Sequence, residues 1–201
     1  TICSPADGTI SQIGQIEDQR IFQAKGHWFT LTELLGGDPQ RAQAFINGKF
    51  ATIYLSPSDY HRVHIPFTGT LREMIHIPGH LFSVAPIFID EIPGLFARNE
   101  RVVSIFDTDI GPMAVILVGA IYVGSSETVW AGQITPPAGR KVTLTSYPKH
   151  PEITLNKGEE LGRFNMGSTV IVLFPQDAVR WSQNLHSNDK VKMGQALATR
   201  Q

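Results

Sequence analysis

Residues 163–174, RFNMGSTVIVLF, join a short polar turn to a strongly apolar, β-branched run. Glycine and serine favour turns and β-branched residues favour strands, so the segment predicts a turn that leads directly into a buried strand. Similar short runs follow one another along the chain, separated by proline, glycine and aspartate corners: TISQIGQI, RIFQA, FATIYL, RVHI, TLREMIHI, RVVSIF, MAVILVGAIYV and KVTLT. This spacing predicts a predominantly β fold, either a sandwich or a barrel.

Two helical signals interrupt these strands. Thr30 is followed three residues later by Glu33, which is the spacing of a capping box, and Asp38 stands before Pro39 as an N-cap residue stands before the first helical position. We therefore expect a small helical insertion and an α+β fold overall. The C-terminal stretch SNDKVKMGQALAT predicts a turn followed by a short strand.

The composition excludes several classes of protein. With 201 residues, of which 42% are hydrophobic, the chain can bury a full core, and one domain is the expectation. The net charge of −1 argues against a nucleic-acid partner. The single cysteine, Cys3, excludes an internal disulfide and a cysteine zinc cluster. The longest uncharged apolar stretch, residues 112–124, is shorter than the roughly 20 residues that a membrane-spanning helix needs.

Two histidines and two aspartates are candidates for chemistry. Residues 56–66, SPSDYHRVHIP, bring together Asp59, His61 and His64, which can form a general base or, as an H-x-x-H pair, bind a metal. On a straight strand the two histidines would point to opposite faces, so a shared site requires a turn around the first. Asp7 lies in a Pro-x-Asp-Gly turn, where aspartate commonly caps its own backbone. A structural role remains open for each of these residues.

A long apolar segment, HLFSVAPIFIDEIPGLFARNERV at residues 80–102, is unusual for a loop between strands. It is either a connection that fills the core or an exposed apolar surface for a lipid or a protein partner. On the second interpretation, Leu95 and Phe96 face acyl chains.

The opening segment also holds a candidate self-cleavage site. Gly167 has no Cβ and tolerates a strained backbone, while the hydroxyl of Ser168 can approach the carbonyl carbon of Gly167. With a base to take its proton and a carboxylate to orient that base, Ser168 can convert the peptide bond to an ester. Elimination then releases the upstream chain and leaves dehydroalanine, which tautomerises and hydrolyses to a pyruvoyl group and ammonia.

Seven motifs, in this order, resemble the bacterial phosphatidylserine decarboxylase family over residues 2 to about 176: SPADG, LSPSDYHRVHIPFTG, PGHLFSVAP, IPGLFARNERV, VGAIYVGS, KGEELGRFNMGST and VIVLF. The resemblance implies that Ser168 is the nucleophile of self-cleavage and the precursor of the pyruvoyl group. It implies that His64 is the general base and that Asp7 orients it. His61 resembles the residue that transfers a proton during decarboxylation, and Asp59 could support either imidazole.

The resemblance also implies an activity and its setting. A single catalytic domain, residues 1–201, would divide into a β chain, 1–167, and an α chain, 168–201. The protein would be a carboxy-lyase, made as a zymogen, that converts phosphatidylserine to phosphatidylethanolamine and carbon dioxide in phospholipid biosynthesis. Its cofactor would be pyruvate, as the covalent pyruvoyl group derived from Ser168, with no metal. Its chains would associate further, peripherally, on the cytoplasmic side of the bacterial cytoplasmic membrane.

Two features depart from the family pattern. Met166 stands where the family usually has leucine, which is a mild change because both side chains pack against apolar neighbours. The family's N-terminal region, whose apolar helices contact the membrane, is absent here, and without a starting methionine or a leader we expect a trimmed or processed chain. Membrane attachment by this fragment therefore remains open.

Two other classes of protein remain as alternatives. SPADGTI, KGEELG and DKVKMGQALAT also resemble barrel-sandwich proteins that carry biotin or lipoate, and the glucose-specific phosphocarrier of sugar uptake. Neither the exposed lysine of the carriers nor the histidine context of the phosphocarrier can be located in this chain, and a shared β architecture does not imply a shared function. The other alternative is a metal hydrolase that uses His61 and His64.

Overall fold

The computed structural model describes residues 1–121, 125–136, 140–147, 150–164 and 168–201. Gly167, which is half of the predicted cleavage site, and Met166 lie outside the described residues. The strands, numbered in chain order, are β1 (Ile2–Cys3), β2 (Gly8–Gln15), β3 (Arg20–Ala24), β4 (His27–Thr30), β5 (Lys49–Leu55), β6 (Arg62–His64), β7 (Gly69–Ile77), β8 (Arg101–Thr108), β9 (Gly111–Val118), β10 (Ser126–Thr128), β11 (Gly132–Gln133), β12 (Thr143–Ser146), β13 (Thr154–Leu155), β14 (Glu160–Phe164), β15 (Ser168–Phe174), β16 (Val179–Trp181), β17 (Lys190–Val191) and β18 (Ala196–Arg200). The helices are α1 (Leu31–Leu34), α2 (Pro39–Gln43), α3 (Pro86–Ile89) and α4 (Leu95–Arg98).

β15 is an inner strand of the largest sheet. This sheet runs in the order β12, β7, β8, β9, β15, β5, β2 and β17, and its neighbouring strands are antiparallel. Every residue of β15 is buried. A strand that is covered on both faces needs a continuous apolar run instead of an alternating one. The buried strand predicted from the opening segment is therefore confirmed.

A four-stranded sheet lies against one face of the largest sheet. It runs in the order β11, β10, β14 and β6. Two contacts join the layers: the Thr128 hydroxyl lies 4.0 Å from Sδ of Met74, and the rings of Trp130 and Phe106 meet edge to face with 5.9 Å between their centroids. The predicted predominantly β fold is confirmed, while the closer resemblance to barrel-sandwich folds stays a prediction.

The helical insertion begins as its sequence predicts. The Thr30 side chain accepts a hydrogen bond from the backbone N–H of Glu33, and the Glu33 carboxylate accepts one from the backbone N–H of Thr30, so the capping box is formed. The Asp38 carboxylate accepts a hydrogen bond from the N–H of Gln40, with Pro39 in the first position of α2. The prediction of two short helices in this region is confirmed.

A buried arginine ties the insertion to the largest sheet. Arg101, at the start of β8, donates hydrogen bonds to the backbone carbonyls of Leu34, Glu33 and Asn99. Burial lowers the pKa of Arg101 to about 10, and the negative charge of Glu33 opposes that shift. Because the guanidinium stays protonated at neutral pH, it can hold the carbonyls of Glu33 and Leu34 at the end of α1, where a helix needs partners for its last carbonyls.

The apolar segment at residues 80–102 divides between the two interpretations. It contains α3 and α4, which were not predicted. Leu95 and Phe96 are buried in the core, so the expectation that these two side chains face acyl chains is wrong. Ile87 and Phe88 point outward and are 69% and 44% exposed. One part of the segment therefore fills the core, and another presents an apolar surface.

A fully buried amide holds this segment in place. The Gln23 side chain donates to the carbonyls of Ile89 and Ile92 and accepts from the N–H of Leu95, each at 2.8 Å. Replacement of Gln23 by leucine leaves these three backbone groups unpaired, at about 1–3 kcal/mol for each buried group. We expect Gln23→Leu to lower the free energy of unfolding by about 3 kcal/mol or more, measured by urea denaturation.

The matched control is Gln43→Leu, because Gln43 is exposed at the end of α2. Its effect on the free energy of unfolding should stay within about 0.5 kcal/mol. If the two variants were equally stable, the three hydrogen bonds of Gln23 would not hold the segment.

Candidate active site

Three strand ends meet at one edge of the largest sheet. β15 begins at Ser168, β5 ends at Leu55 and β9 ends at Val118. Ser168 pairs with Leu55, and Thr169 pairs with Tyr54 on one side and Val118 on the other. Since both neighbours run antiparallel to β15, they leave the sheet where β15 enters it. The turn that follows Leu55 carries Asp59 and His61, and so emerges beside Ser168.

The hydroxyl of Ser168 is buried and has no partner among the described residues. The residue is 0% exposed, and its Oγ makes no hydrogen bond with any part of the chain that the structure describes. A buried polar group without a partner costs about 1–3 kcal/mol, so such an atom is rare unless it has a function. The carbonyl that Ser168 is predicted to attack belongs to Gly167, which is outside the described residues.

His64 is held by one carbonyl and one hydroxyl. Its Nδ1 lies 2.8 Å from the carbonyl oxygen of Gly158, which can only accept, so Nδ1 carries the proton. Its Nε2 lies 3.1 Å from the hydroxyl of Tyr60, which donates to it, and the two rings stack with 5.7 Å between centroids. The free electron pair of the imidazole is therefore on Nε2, the nitrogen that a general base would use.

His61 directly precedes β6 and His64 is the last residue of β6, so the predicted turn at residues 60–62 is not formed and a strand lies between the two histidines. Its Nε2 donates to the carbonyl of Pro57 at 3.2 Å, which leaves Nδ1 as the acceptor nitrogen. Nδ1 is buried and has no partner among residues 1–121, 125–136, 140–147, 150–164 and 168–201. The carbonyl of His61 accepts from the N–H of Phe164, three residues before Gly167, which brings His61 to the segment that leads to Ser168.

Asp7 contacts the C-terminal part of the chain. Its carboxylate accepts from Nζ of Lys192 and from the backbone N–H of Met193, both at 2.8 Å. Partial burial alone would raise the pKa of Asp7, but these hydrogen bonds and the charge of Lys192 lower it below its ordinary value. Asp7 therefore neither caps its own turn nor bonds to His64 in this conformation. Its contacts link the two chains predicted to result from cleavage.

Asp59 shapes the turn that carries His61. Its carboxylate accepts from the N–H and the hydroxyl of Ser56, at 2.8 and 2.7 Å, and closes the turn directly after β5. Burial raises the pKa of Tyr54, and the negative charge of Asp59 raises it further. A cavity of about 300 Å³ opens beside Tyr54, with Pro86 and Ile89 of α3 on its far wall.

Three contacts at this site were missed by the sequence analysis: the Tyr60 hydroxyl, the Gly158 carbonyl and the Lys192 ammonium group. Tyr60 stands in the YHRVH motif, so its position was a usable signal. The other two come from segments that lie 94 residues from His64 and 185 residues from Asp7. Nothing in the local sequence around Gly158 or Lys192 indicates these partners.

In the part of the chain that the structure describes, no three His, Cys, Asp or Glu side chains gather into a group that could hold a metal ion. Within the same ranges, no helix has the length and apolar character needed to cross a membrane.

The fold and the site define a mostly β protein that holds a buried serine at a strand start, unpaired among the described residues, and two histidines with one acceptor nitrogen each. The model of one protein family, described as phosphatidylserine decarboxylase, matches residues 1–199. The chain therefore belongs to the phosphatidylserine decarboxylase family, whose members are carboxy-lyases. This finding favours the decarboxylase over the carrier, phosphocarrier and metal-hydrolase alternatives.

Individual relatives agree with the family. The chain is 56% identical to the phosphatidylserine decarboxylase proenzyme of Marinobacter nauticus over 98% of its length and 68% of the relative. It is 58% identical to the proenzyme of Azotobacter vinelandii, with 98% of this chain and 69% of the relative covered. It is 60% identical to that of Bordetella avium, with 98% and 67% covered. The chain thus spans about two thirds of the length of these relatives.

Proposed function

We propose that this chain cuts itself between Gly167 and Ser168 and then decarboxylates phosphatidylserine with a pyruvoyl group made from Ser168. The observation that carries the proposal is the buried Oγ of Ser168, unpaired among the described residues, at the first position of β15. The word proenzyme in the names of the relatives supports self-processing. The products would be chains 1–167 and 168–201.

His64 is the base that we propose for self-cleavage. The Gly158 carbonyl holds the proton on Nδ1, so Nε2 can accept the proton of the Ser168 hydroxyl as Oγ attacks the carbonyl carbon of Gly167. The Tyr60 hydroxyl occupies Nε2 in this structure, so that hydrogen bond has to exchange first. His64 returns the proton to the nitrogen of Ser168 as the C–N bond breaks, and an ester remains. Transfer of the Cα proton of residue 168 to a base then breaks the Cβ–Oγ bond, and Gly167 leaves with a carboxylate.

Asp59 and Asp7 make different contacts, and these contacts support different roles in orienting the histidines. Asp59 closes the turn that carries Tyr60 and His61, so it supports both imidazoles through their backbone. Asp7 can orient His64 only if its carboxylate exchanges Lys192 for the imidazole. The role of Asp7 at His64 therefore stays a prediction, as does further association of the chains.

The surroundings of Ser168 fit a pyruvoyl group. The position is fully buried and begins an apolar strand, and no described residue bonds to the hydroxyl that would be lost. When formed, the pyruvoyl group supplies an electrophilic carbonyl that condenses with the substrate amine and withdraws electrons as carbon dioxide leaves. Burial helps this step, because a substrate carboxylate that has lost its hydration leaves more readily.

His61 is the proton donor that we propose for decarboxylation. Its Nδ1 is buried and unpaired among the described residues, and it lies on the turn that emerges beside Ser168. A protonated Nδ1 can return one proton to the substrate carbon from which carbon dioxide has departed. A positioned acid of this kind contributes about 10²- to 10⁴-fold to a rate.

Exposed apolar side chains surround this edge of the sheet. Ile87 and Phe88 project from α3, whose other side borders the cavity at Tyr54, and Ile121 follows the end of β9. Leu81, also exposed, lies over Gly119: its Cδ2 is 3.5 Å from the place that a Cβ of Gly119 would occupy. Clustered exposed apolar residues mark surfaces that meet a partner or a membrane. We therefore propose that this edge faces the bilayer that holds phosphatidylserine.

The double substitution Ile87→Glu and Phe88→Glu tests this surface. Burial of one large apolar side chain contributes about 1.5–3 kcal/mol, so we expect binding to vesicles that contain phosphatidylserine to fall about 10-fold or more. Turnover on vesicles should fall in parallel, while self-cleavage should not change. Vesicle flotation and intact-mass measurements read the two effects separately.

The control for this substitution is Val142→Glu with Leu144→Glu, because both side chains are about half exposed and belong to the region of β12, at an outer edge of the largest sheet. Equal loss of vesicle binding in both double variants would show that α3 has no special part in docking.

The activity itself is tested on vesicles of phosphatidylserine labelled in the serine carboxyl group. We expect release of labelled carbon dioxide and an equal amount of phosphatidylethanolamine. A strong chelator should leave both unchanged, whereas a metal hydrolase would lose its activity. A cleaved chain that released no carbon dioxide from any acyl form of the lipid would contradict the proposed function.

A further inference from the structure

A buried histidine and carboxylate lie near Ser168 and have no part in the chemistry described so far. Nε2 of His76 is 3.0 Å from Oε1 of Glu100, and both side chains are largely buried. Groups of this kind are costly to desolvate, and they cluster at functional sites. The pair belongs to β7 and to the residue just before β8, at the same end of the sheet as Ser168.

The register of the sheet puts Glu100 and Ser168 in one row. Thr169 pairs with Val118 in an antiparallel ladder, so the next pair along these two strands is Ser168 and Gly119. The N–H of Gly119 donates to the carbonyl of Glu100 at 2.9 Å, so Glu100 follows in the same row. Ser168 and Glu100 are therefore two strand spacings apart, about 10 Å at about 4.8 Å each.

Both side chains point to the same face of the sheet. Val170, Leu117, Val102 and His76 form one row of directly paired residues, and residues opposite each other share a face. Ser168 and Glu100 are each two positions from a member of that row, so alternation returns them to the same face. The hydrogen bond between Glu100 and His76 agrees with this assignment.

The position between them carries no side chain. Gly119 occupies it, and the nearest neighbours of an added Cβ would be the carbonyl oxygen of Glu100 at 3.3 Å and Cδ2 of Leu81 at 3.5 Å. Asn99, which is fully buried, donates to the carbonyls of Gly119 and Phe82 and accepts from the N–H of Phe82. The backbone around Glu100 is therefore firmly held, and the side chain of Leu81 covers the glycine between Glu100 and Ser168.

We propose that Glu100 is a catalytic base that takes a proton from the ammonium group of the substrate. The inference rests on the proposed function. An ammonium nitrogen has no lone pair and cannot attack a carbonyl carbon until it loses one proton. The transfer breaks one N–H bond, forms an O–H bond on Glu100 and leaves a neutral amine, with no other reactant needed. The headgroup would lie above Gly119, between Glu100 and the group formed from Ser168, once the exposed side chain of Leu81 moves aside.

His76 is the positioning residue for this base. An ionised carboxylate only accepts, so Nε2 of His76 carries the proton and donates it to Oε1 of Glu100. One oxygen of Glu100 is thereby held, and the other is left for the substrate. His76 acts through Glu100 and does not itself contact the substrate.

The test compares Glu100→Gln with the wild-type protein at neutral pH, and with Glu91→Gln as a control, because Glu91 is an exposed carboxylate of the same segment, paired with Lys25. Intact mass measures self-cleavage. Phenylhydrazine, which is already neutral at this pH, measures accessible pyruvoyl. Cyanoborohydride, added with short-chain phosphatidylethanolamine, traps the adduct between the pyruvoyl group and an amine that is protonated in solution. The fourth measurement is the turnover of phosphatidylserine.

We expect Glu100→Gln to cleave and to bind phenylhydrazine as the wild-type protein does, while the lipid adduct and kcat/KM fall about 100-fold, within the usual range for a lost base. His76→Gln, which keeps an N–H donor, should lose less than His76→Leu. Turnover within threefold of wild type would overturn the proposal, and so would equal losses of phenylhydrazine and lipid adducts, or a loss of self-cleavage. Failure of the wild-type protein to cleave or to bind phenylhydrazine would instead contradict the proposed function.

Discussion

Ser168→Ala should remain a single chain of 201 residues, while the wild-type protein separates into two under denaturing conditions. Without Oγ there is no atom to attack the carbonyl of Gly167, so no ester and no pyruvoyl group can form. An intact-mass spectrum of the wild-type protein should give fragments 1–167 and 168–201. The second should be lighter than a peptide that begins with serine by one molecule of ammonia. Decarboxylation by the variant should be undetectable.

Ser104→Ala is a closely matched control for this prediction. Ser104 is also fully buried in the largest sheet, with an Oγ unpaired among the described residues, but it lies in the interior of β8 instead of at a strand end. Its alanine variant should cleave and turn over lipid as the wild-type protein does. Two fragments from Ser168→Ala, divided at the same bond, would exclude Ser168 as the nucleophile.

Alanine substitutions of His64 and His61 should have the second large effect, and each should slow a different step. His64→Ala removes the base that takes the proton of Ser168, so we expect self-cleavage to slow by about 10²- to 10⁴-fold. His61→Ala should mature at close to the normal rate and then decarboxylate phosphatidylserine about 10²- to 10⁴-fold more slowly, because it lacks the proton donor. The first variant is measured by the time course of intact mass, and the second by release of carbon dioxide after cleavage is complete.

His186→Ala provides the reference for both histidine variants, since its side chain is 73% exposed and pairs only weakly with Asp189, at 3.8 Å. It should mature and turn over lipid normally. If His61→Ala failed to mature while His64→Ala matured normally, the two roles would have to be exchanged. Their acceptor nitrogens would then act in the opposite steps.

The comparison of Asp7 with Asp59 shows where local sequence stops being informative. Asp59 bonds to Ser56, three residues away, and that contact follows from the turn itself. Asp7 bonds to Lys192 and Met193, across most of the chain. An aspartate in a turn has several possible partners of similar strength. Tertiary packing selects among them, so neither the local cap nor the bond to His64 is formed in this structure.

The apolar segment at residues 80–102 shows the same limit of local sequence for side-chain packing. Its composition predicts burial or an apolar surface but cannot say which side chain does which. Leu95 and Phe96 are buried because Gln23 holds the backbone of Ile89, Ile92 and Leu95 against the hairpin of β3 and β4. Ile87 and Phe88 remain outside because α3 is a single turn that can bury only one side.

The amino-acid sequence alone determined the features that depend on neighbours along the chain. These are the buried strand after Gly167, the capping box at Thr30 and the order of motifs that identified the family. Only the tertiary structure decided which atoms meet across the sheets: the carbonyl of Gly158 at His64 and the ammonium of Lys192 at Asp7. The physical reason is that backbone preferences act over a few residues, whereas the partner of a buried polar group depends on the packing of the whole chain.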